Sequence, residues 1–208
     1  MLKKLRNSNG NNKPYRPSDD TFLLAESVEA SGGRSALEVG AGSGYIAALL
    51  KERFGRVVAT DISIEAIREA KARAGDVEFV CCDSASAISN ARFDLIVMNP
   101  PYLPSDTMDD VTVDGGRGGI EVTLRMVRDS LPLLRRDDGA GGRMLIVTSS
   151  LADHRKLEAK IKEMGLQTHI ARRKKLAFEE LMVLEASFFT PYGARQRQSP
   201  SGESPSRP

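Results

Sequence analysis

The sequence contains few of the residues that build disulfides and zinc sites. It has two cysteines, Cys81 and Cys82, two histidines, His154 and His169, and no tryptophan. Because the two cysteines are neighbours in the chain, their side chains project in different directions, and we expect two free thiols. Two adjacent cysteines and two separated histidines do not have the ligand spacing of a zinc site. We therefore predict neither a disulfide-stabilised small domain nor a metal centre.

The sequence also lacks a long apolar run. No stretch approaches the roughly 18 consecutive apolar residues of a membrane-spanning helix. The basic start, with Lys3, Lys4 and Arg6, continues into asparagine and serine rather than into the apolar segment of a signal peptide. The 208 residues, of which 40% are hydrophobic, are enough for one domain with one core. These features predict a single-domain protein of the cytoplasm.

Acidic residues are scarce at the two ends of the chain. Residues 1–16 include five basic residues and no acidic one, and residues 192–208 include three basic residues and one acidic residue. The net charge of the chain is +2 and the ends contribute +5 and +2, so residues 17–191 carry −5. Since proteins that grip phosphates need basic surfaces, the acidic centre disfavours nucleic acid as a partner.

The same two ends are also poor in apolar residues. The first is rich in asparagine, glycine and lysine, and the last in serine, proline, glutamine and arginine. Such compositions are typical of disordered segments. We predict disordered tails over 1–13 and 193–208, on either side of a folded domain over 14–192.

Two kinds of apolar segment alternate along the predicted domain. Short apolar runs are typical of buried strands, and the segments between them have apolar residues at helical spacing. We predict seven strands, over 36–39, 57–60, 77–81, 94–98, 143–148, 166–171 and 181–188. We predict helices over 45–54, 63–73, 120–134 and 153–164, with a hairpin turn over 172–175. This order indicates an α/β fold, a doubly wound seven-stranded sheet that is mostly parallel with one antiparallel strand.

A glycine-rich segment follows the first predicted strand. It contains Glu38, Gly40, Ala41, Gly42 and Gly44, and a predicted helix begins directly behind it. Glycine is needed where the backbone turns sharply or where a ligand approaches the main chain. A dinucleotide-binding fingerprint has its third glycine one residue later than Gly44, so the spacing here is different. Taken alone, the segment is also compatible with a tight turn that binds nothing.

Two aspartates follow the next two strands. Asp61 and Asp83 end the second and third predicted strands, on the same edge of the sheet as the glycine-rich segment. An aspartate at the position of Asp61 can accept hydrogen bonds from both hydroxyls of a ribose. Each aspartate could instead cap the following helix, for which Ser63 is a competing cap. Together with the glycines, the two acids predict a nucleoside-binding slot.

The fourth predicted strand ends in the sequence Asn99, Pro100, Pro101 and Tyr102. Two consecutive prolines fix two φ angles and remove two backbone donors, so the carbonyl groups there are rigid. The Asn99 oxygen and the Pro100 carbonyl could accept the hydrogens of an amide or exocyclic amine, and the Tyr102 ring could lie against a planar group. The segment therefore predicts group transfer to a planar nitrogen.

Four segments resemble those of known methyltransferases. The glycine spacing resembles motif I of the S-adenosylmethionine-dependent class I methyltransferases, and residues 99–102 resemble the Asn-Pro-Pro-Tyr motif of amide and amine methyltransferases. Residues 15–24 and 115–121 resemble the Tyr-x-Pro-x-x-Asp-Thr-Phe-Leu-Leu and Gly-Gly-Arg-x-Gly segments of the HemK/PrmC family, especially its short archaeal and eukaryotic members.

The resemblance implies a Rossmann-like class I fold with S-adenosylmethionine as the cofactor. It implies that Thr21 helps to cover the cofactor and that Asp83 contacts the adenine amino group. The residues expected to bind the cofactor are Thr21, Glu38, Gly40, Ala41, Gly42, Gly44, Asp61, Ile62, Asp83, Ser84 and Asn99. The residues expected to be catalytic are Asn99, Pro100, Pro101 and Tyr102.

The resemblance also implies an acceptor, the glutamine of the Gly-Gly-Gln motif in class I translation termination factors. The alternative within the same chemistry is N6-adenine or N2-guanine methylation of nucleic acid. A third hypothesis is a subunit that binds the cofactor without catalysis. The intact Asn-Pro-Pro-Tyr segment disfavours the third hypothesis, because nothing structural requires it.

The short members of the family pair with a small zinc-binding activator protein that adds a strand beside the third strand. The corresponding segment here contains Val77 and Phe79 and is apolar enough to need a cover. The resemblance therefore implies a partner site at this edge. The alternative is an edge that the loops of this chain cover themselves.

Overall fold

The computed structural model describes residues 15–106, 112–136 and 141–189. The strands are β1 (Gly33–Val39), β2 (Phe54–Asp61), β3 (Glu78–Cys81), β4 (Leu95–Met98), β5 (Arg143–Ser149), β6 (Leu166–Lys175) and β7 (Glu180–Phe188). They form one sheet in the order β3-β2-β1-β4-β5-β7-β6. β7 runs antiparallel to both of its neighbours, and the other adjacent pairs are parallel. The predicted fold class is confirmed. The predicted tails over 1–13 and 193–208 lie outside the described residues.

Five α-helices of the described residues pack against the sheet. They are α1 (Asp19–Glu29), α2 (Tyr45–Lys51), α3 (Ile64–Ala74), α4 (Glu121–Ser130) and α5 (His154–Glu163). α2 contacts both α1 and α3, and α4 contacts α5. All four β4 side chains are buried, so both faces of the sheet are covered there, as parallel sheets require. Within the described ranges, no helix has the length and apolar character needed to cross a membrane.

Three helices differ from their prediction. α1 was not predicted from the apolar pattern, although it buries Leu23, Leu24 and Val28. The helix predicted over 45–54 is shorter, because the chain already enters β2 at Phe54. The helix predicted over 120–134 ends at Ser130 and continues as a short 3₁₀ turn that contains Pro132, since proline cannot supply the next helical hydrogen bond.

The hairpin turn predicted over 172–175 is wrong. β6 continues to Lys175, with a bulge between Ile170 and Arg172, and pairs with β7 along its whole length. The turn is closed instead by a hydrogen bond from the Leu176 N–H to the Glu179 carbonyl (2.8 Å). β6 is the edge strand on one side of the sheet, and most of its side chains are at least partly exposed, so a run of basic residues can remain extended there.

The functional site is expected where the strand order reverses. β1 lies between β2 and β4, so the loops that follow β1 and β4 leave in different directions and open a crevice. The carboxyl ends of β1, β2, β3 and β4 all face this crevice because these strands are parallel.

Asp94 lies at the opposite end of the sheet, at the start of β4. Its carboxylate accepts hydrogen bonds from the N–H groups of Arg34 (2.7 Å) and Ser35 (3.0 Å) and forms an ion pair with Arg135. Although partial burial acts to raise the pKa of Asp94, these hydrogen bonds outweigh it and hold the pKa below its usual value. Asp94 thereby joins the starts of β1 and β4 as a fully ionised group.

Candidate active site

A cavity of about 250 Å³ lies at the carboxyl ends of the parallel strands. The predicted site residues on its wall are Thr21, Glu38, Gly40, Ala41, Gly42, Asp61, Ile62, Asp83, Ser84, Asn99, Pro100, Pro101 and Tyr102. Gly44 is not on the wall. A Cβ at this position would lie 2.6 Å from the Cα of Ala70, so the glycine allows α2 to begin close against α3.

Two hydrogen bonds attach the glycine-rich loop to the end of β2. The N–H groups of Gly40 and Ala41 both donate to the Thr60 carbonyl (2.9 and 2.8 Å). Gly40 and Gly42 have φ angles of +86° and +51°, which side chains with a Cβ rarely adopt. The sequence therefore requires glycine at these two positions for the backbone conformation itself.

Asp61 shapes both the loop and the start of α3. Its Oδ2 accepts from the Gly42 N–H and its Oδ1 from the Ser63 N–H, each at 2.8 Å. Ser63 caps α3 by accepting from the Ala66 N–H (3.2 Å), as predicted. Both interpretations of Asp61 are therefore compatible with its position, because it borders the cavity and also organises the following turn.

Asp83 has a partner that the sequence did not indicate. Its carboxylate forms an ion pair with Arg125 of α4 (2.9 Å), and both side chains are about half exposed. Both residues lie on the cavity wall. Arg125 is 42 residues away in the chain, and only the packing of α4 over the crevice brings the two charges together.

Glu38 is buried below the glycine-rich loop. Burial, together with the nearby negative charge of Asp61, raises the pKa of Glu38 well above its usual value. Its Oε2 atom has no hydrogen-bond partner among the described residues, and the same is true of the Ser84 hydroxyl. Because buried polar atoms without partners are costly, these two atoms mark places where a ligand would be stabilised.

Asn99 joins the cavity wall to α1. Its Nδ2 lies 3.4 Å from the Thr21 hydroxyl and donates to it. Its Oδ1 is buried and has no partner among the described residues. The amide therefore offers a buried acceptor at the end of β4, next to the Pro100 and Pro101 backbone.

Tyr102 is directed at a buried carboxylate that sequence analysis missed. Its hydroxyl donates to Oδ2 of Asp20 (3.1 Å), and the Tyr15 hydroxyl donates to the same oxygen (2.7 Å). Burial and the charge of Asp20 raise the pKa of Tyr102, so the phenol keeps its proton. Asp20 is 2% exposed and precedes Thr21, so it connects the first helix with the Asn-Pro-Pro-Tyr segment.

A second glycine-rich loop, residues 115–119, packs on the backbone of this segment. A Cβ on Gly115 would lie 2.7 Å from the Pro101 carbonyl oxygen, and a Cβ on Gly119 would overlap the Tyr102 carbonyl oxygen. The Gly115 N–H donates to the Leu103 carbonyl (2.8 Å). These glycines therefore hold Pro101 and Tyr102 in place, which their sequence pattern alone did not reveal.

Residues 16–176 match the family described as the methyltransferase small domain. The chain belongs to this family. A protein of Methanocaldococcus jannaschii, provisionally named a protein N5-glutamine methyltransferase, is 32% identical over 183 residues, which cover 83% of this chain and 90% of that protein. Methyltransferase HEMK2 of Mus musculus is 31% identical over 194 residues, which cover 83% of this chain and 89% of that protein.

A solved structure is also similar to the methyltransferase. It is the E. cuniculi Mtq2-Trm112 complex, described as responsible for the methylation of the eRF1 translation termination factor. The similarity has a TM-score of 0.69 and 26% identity, and it covers 85% of this chain and 99% of the matched chain. The expected membership of the HemK group is confirmed, and the chain is a methyltransferase. The cofactor expected for such an enzyme is S-adenosylmethionine.

The cavity fits this cofactor. Two buried oxygens on the wall, Glu38 Oε2 and Ser84 Oγ, have no partner in the described part of the chain. S-adenosylmethionine has amine and hydroxyl groups that can donate to such oxygens. Gly40 and Gly42 also lie on the cavity wall and have no Cβ, so the loop backbone is accessible to a ligand there. The described residues contain no cluster suited to a metal ion.

Proposed function

We propose that this methyltransferase modifies the side-chain amide nitrogen of the glutamine in the Gly-Gly-Gln motif of a class I translation termination factor. The names of its relatives support this acceptor, since they include a protein N5-glutamine methyltransferase and a complex that acts on eRF1. The charge of the chain disfavours nucleic acid as the acceptor, because residues 17–191 are acidic overall and phosphates are bound mostly by basic residues.

In this proposal the residues of the cavity wall hold the cofactor. Asp61 faces the ribose, Asp83 and Ser84 face the adenine, and Glu38 faces the methionine end, beside the loop from Gly40 to Gly42. Thr21 and Ile62 complete the enclosure. When bound, S-adenosylmethionine supplies an electrophilic methyl group. The residues of this chain exclude water from the crevice and hold the acceptor in position.

The observation that carries the proposal is the buried, unpartnered Oδ1 of Asn99. An amide nitrogen is a weak nucleophile because its lone pair is conjugated with the carbonyl group. Asn99 Oδ1 and the Pro100 carbonyl would accept its two hydrogens and hold the nitrogen facing the methyl group. The new nitrogen–methyl bond would form as the sulfur–methyl bond of the cofactor breaks. No strong base would be needed, because the nitrogen becomes acidic in this step and its proton would pass to solvent.

The proposal is tested by incubating the methyltransferase and S-adenosylmethionine with a purified class I termination factor and analysing the factor by mass spectrometry. We expect the mass of one methyl group to be added to the glutamine of the Gly-Gly-Gln motif. A factor with this glutamine changed to alanine is the control and should gain no mass.

The same assay separates protein from nucleic acid as the acceptor. Bulk RNA and DNA are incubated in parallel with labelled cofactor. Label in nucleic acid together with an unmodified factor would replace the proposed acceptor with an adenine or guanine amine. The assignments of the cofactor site would stand in that case.

We propose further that the free edge of β3 receives a small zinc-binding activator protein. β3 is the edge strand on the side of the sheet opposite β6, and Phe79 is only half-buried on it. Ile62 and Ile64, which follow the neighbouring strand β2, are 64% and 42% exposed. Val77, which was expected to contribute to this surface, is 6% exposed and belongs to the core, because it precedes the strand and packs inward.

The partner site is tested with the variant Ile64→Asp. We expect it to lose binding to the activator in a pull-down while retaining the folded state in circular dichroism. Phe178→Asp is the matched control, since Phe178 is 69% exposed near the opposite edge of the sheet. Equal binding by both variants would contradict the proposed surface.

A further inference from the structure

The buried carboxylate of Asp20 has more hydrogen-bond donors than a helix cap requires. Its Oδ1 accepts from the hydroxyl of Ser18 (2.8 Å) and from the N–H (2.6 Å) and hydroxyl (3.3 Å) of Thr21. Its Oδ2 accepts from the hydroxyls of Tyr15 and Tyr102. Five groups that can donate therefore surround one carboxylate in the wall of the active-site cavity. The Tyr15 and Ser18 hydroxyls also lie 2.7 Å from each other, so these two groups share two protons among three contacts.

The direction of these hydrogen bonds is fixed because an ionised carboxylate only accepts. The Thr21 hydroxyl has a single proton, which it donates to Asp20, so towards Asn99 its oxygen can only accept. Asn99 must then present its Nδ2 to Thr21, as observed at 3.4 Å. The opposite corner of the amide, Oδ1, is consequently the one that is left without a partner.

Asp20 also holds the other end of the same segment. Tyr102, three residues after Asn99, donates its hydroxyl to Asp20, and its backbone is packed under Gly119. The carboxylate thus contacts Tyr102 directly and Asn99 through Thr21. The two prolines lie between these fixed points, so the Pro100 carbonyl is held as well.

We infer that Asp20 is a positioning residue that sets the orientation of the Asn99 amide, so that its oxygen and not its nitrogen faces the methyl acceptor. The inference rests on the proposed function, because only an acceptor that donates hydrogens needs an oxygen there. Asp20 is part of the cavity wall, and this role does not require it to contact the acceptor. It acts through Thr21 on Asn99 and directly on Tyr102.

The test begins with Asp20→Asn, which keeps the size of the side chain but introduces a donor among donors. We expect kcat at saturating cofactor to fall by about 10- to 100-fold, with KM for the termination factor and Kd for the cofactor within about threefold. Asp94→Asn is the matched control, a carboxylate with backbone donors at the opposite end of the sheet, and should keep the kcat of the wild type.

A double-mutant cycle tests the route through Thr21. Thr21→Val removes the hydroxyl and should lose as much kcat as Asp20→Asn, whereas the conservative variant Thr21→Ser retains the hydroxyl and should lose less than Thr21→Val. The double variant Asp20→Asn/Thr21→Val should be no slower than the slower single variant, because both substitutions interrupt the same series of hydrogen bonds from Asp20 to Asn99. Losses that multiply would overturn the inference, as would an unchanged kcat in Asp20→Asn.

A measurement without acceptor separates this inference from the proposed function. The side-chain ¹H–¹⁵N signals of Asn99, identified by their loss in Asn99→Ala, should shift in Asp20→Asn and Thr21→Val but not in Asp94→Asn. Unmoved signals in Asp20→Asn would refute the positioning role. If these signals shift but the wild type leaves the termination factor unmodified, the positioning role is supported and the acceptor alone is wrong.

Discussion

At the amino end of the sheet, the Asp94 carboxylate accepts hydrogen bonds from two backbone N–H groups and one arginine. At the carboxyl end, Oε2 of Glu38 and Oδ1 of Asn99 are buried more completely than the partly exposed Asp94 carboxylate, but they have no partner among the described residues. The first arrangement stabilises the fold, and the second costs stability until a ligand supplies donors. The same sheet therefore separates a structural end from a functional end, and each end can be perturbed independently.

The largest effect is expected at Asn99, at the functional end of the sheet. Asn99→Ala removes the proposed acceptor of the amide hydrogens, and we expect kcat to fall by about 10²- to 10³-fold, as for the loss of one preorganised hydrogen-bonding group. Cofactor affinity should stay within about tenfold, as measured by isothermal titration calorimetry. A kcat equal to that of the wild type would refute the proposed mechanism.

A smaller but still large effect is expected at Gly119. Gly119→Ala combines a φ of +69° with an overlap between the new Cβ and the Tyr102 carbonyl oxygen. We expect a loss of about 3 kcal/mol in the free energy of unfolding, measured by urea denaturation. Gly165→Ala is the control, because Gly165 has a φ of +88° and open space around it, and should cost about 1 kcal/mol. Equal costs would show that Tyr102 is not under this constraint.

Asp94→Asn tests the structural end alone. We expect a loss of about 2 kcal/mol in the free energy of unfolding, since a charged acceptor of several hydrogen bonds is replaced, with kcat unchanged. Because the folded pKa of Asp94 lies below its unfolded value, its contribution is present above the unfolded pKa. The contribution disappears as the pH falls through the folded pKa, so wild type and variant should converge in acid. A persistent gap in acid would contradict this account.

The smallest effect is expected from Glu38, whose pKa is raised where that of Asp94 is lowered. Its raised pKa stabilises the cofactor-free fold below the unfolded pKa, and this stability is lost as the pH rises through the folded pKa. The positive charges of S-adenosylmethionine should favour the ionised form, so binding releases a proton. Affinity should rise with pH by less than tenfold per unit. Glu38→Gln should remove this dependence in calorimetry, and a dependence that remains would point to another group.

Much of the framework was accessible from the sequence. β4 and β5 are continuous apolar runs, and the cap at Ser63 follows from local hydrogen bonding. The glycines at 40 and 42 were predicted for the conformation they adopt. In each of these cases, the decisive interactions involve residues close in the chain or the burial of one element.

The missing parts depend on contacts between distant residues. In the sequence, Asp20 is only one position of the segment 15–24, and its role requires Tyr102, which is 82 residues away. The run of basic residues after Ile170 was taken for a turn, although an outer strand can remain extended with its side chains in solvent. Gly119 has a reason to be glycine only once Tyr102 lies beneath it.

The ion pair between Arg125 and Asp83 has a consequence for how the cofactor competes with the protein's own charges. On the proposed contact between Asp83 and the adenine amino group, binding must share or replace the interaction with Arg125. Because both side chains are about half exposed, dissolved salt weakens their attraction. Moderate ionic strength would then ease adenine binding, opposite to the usual effect of salt on a charged ligand.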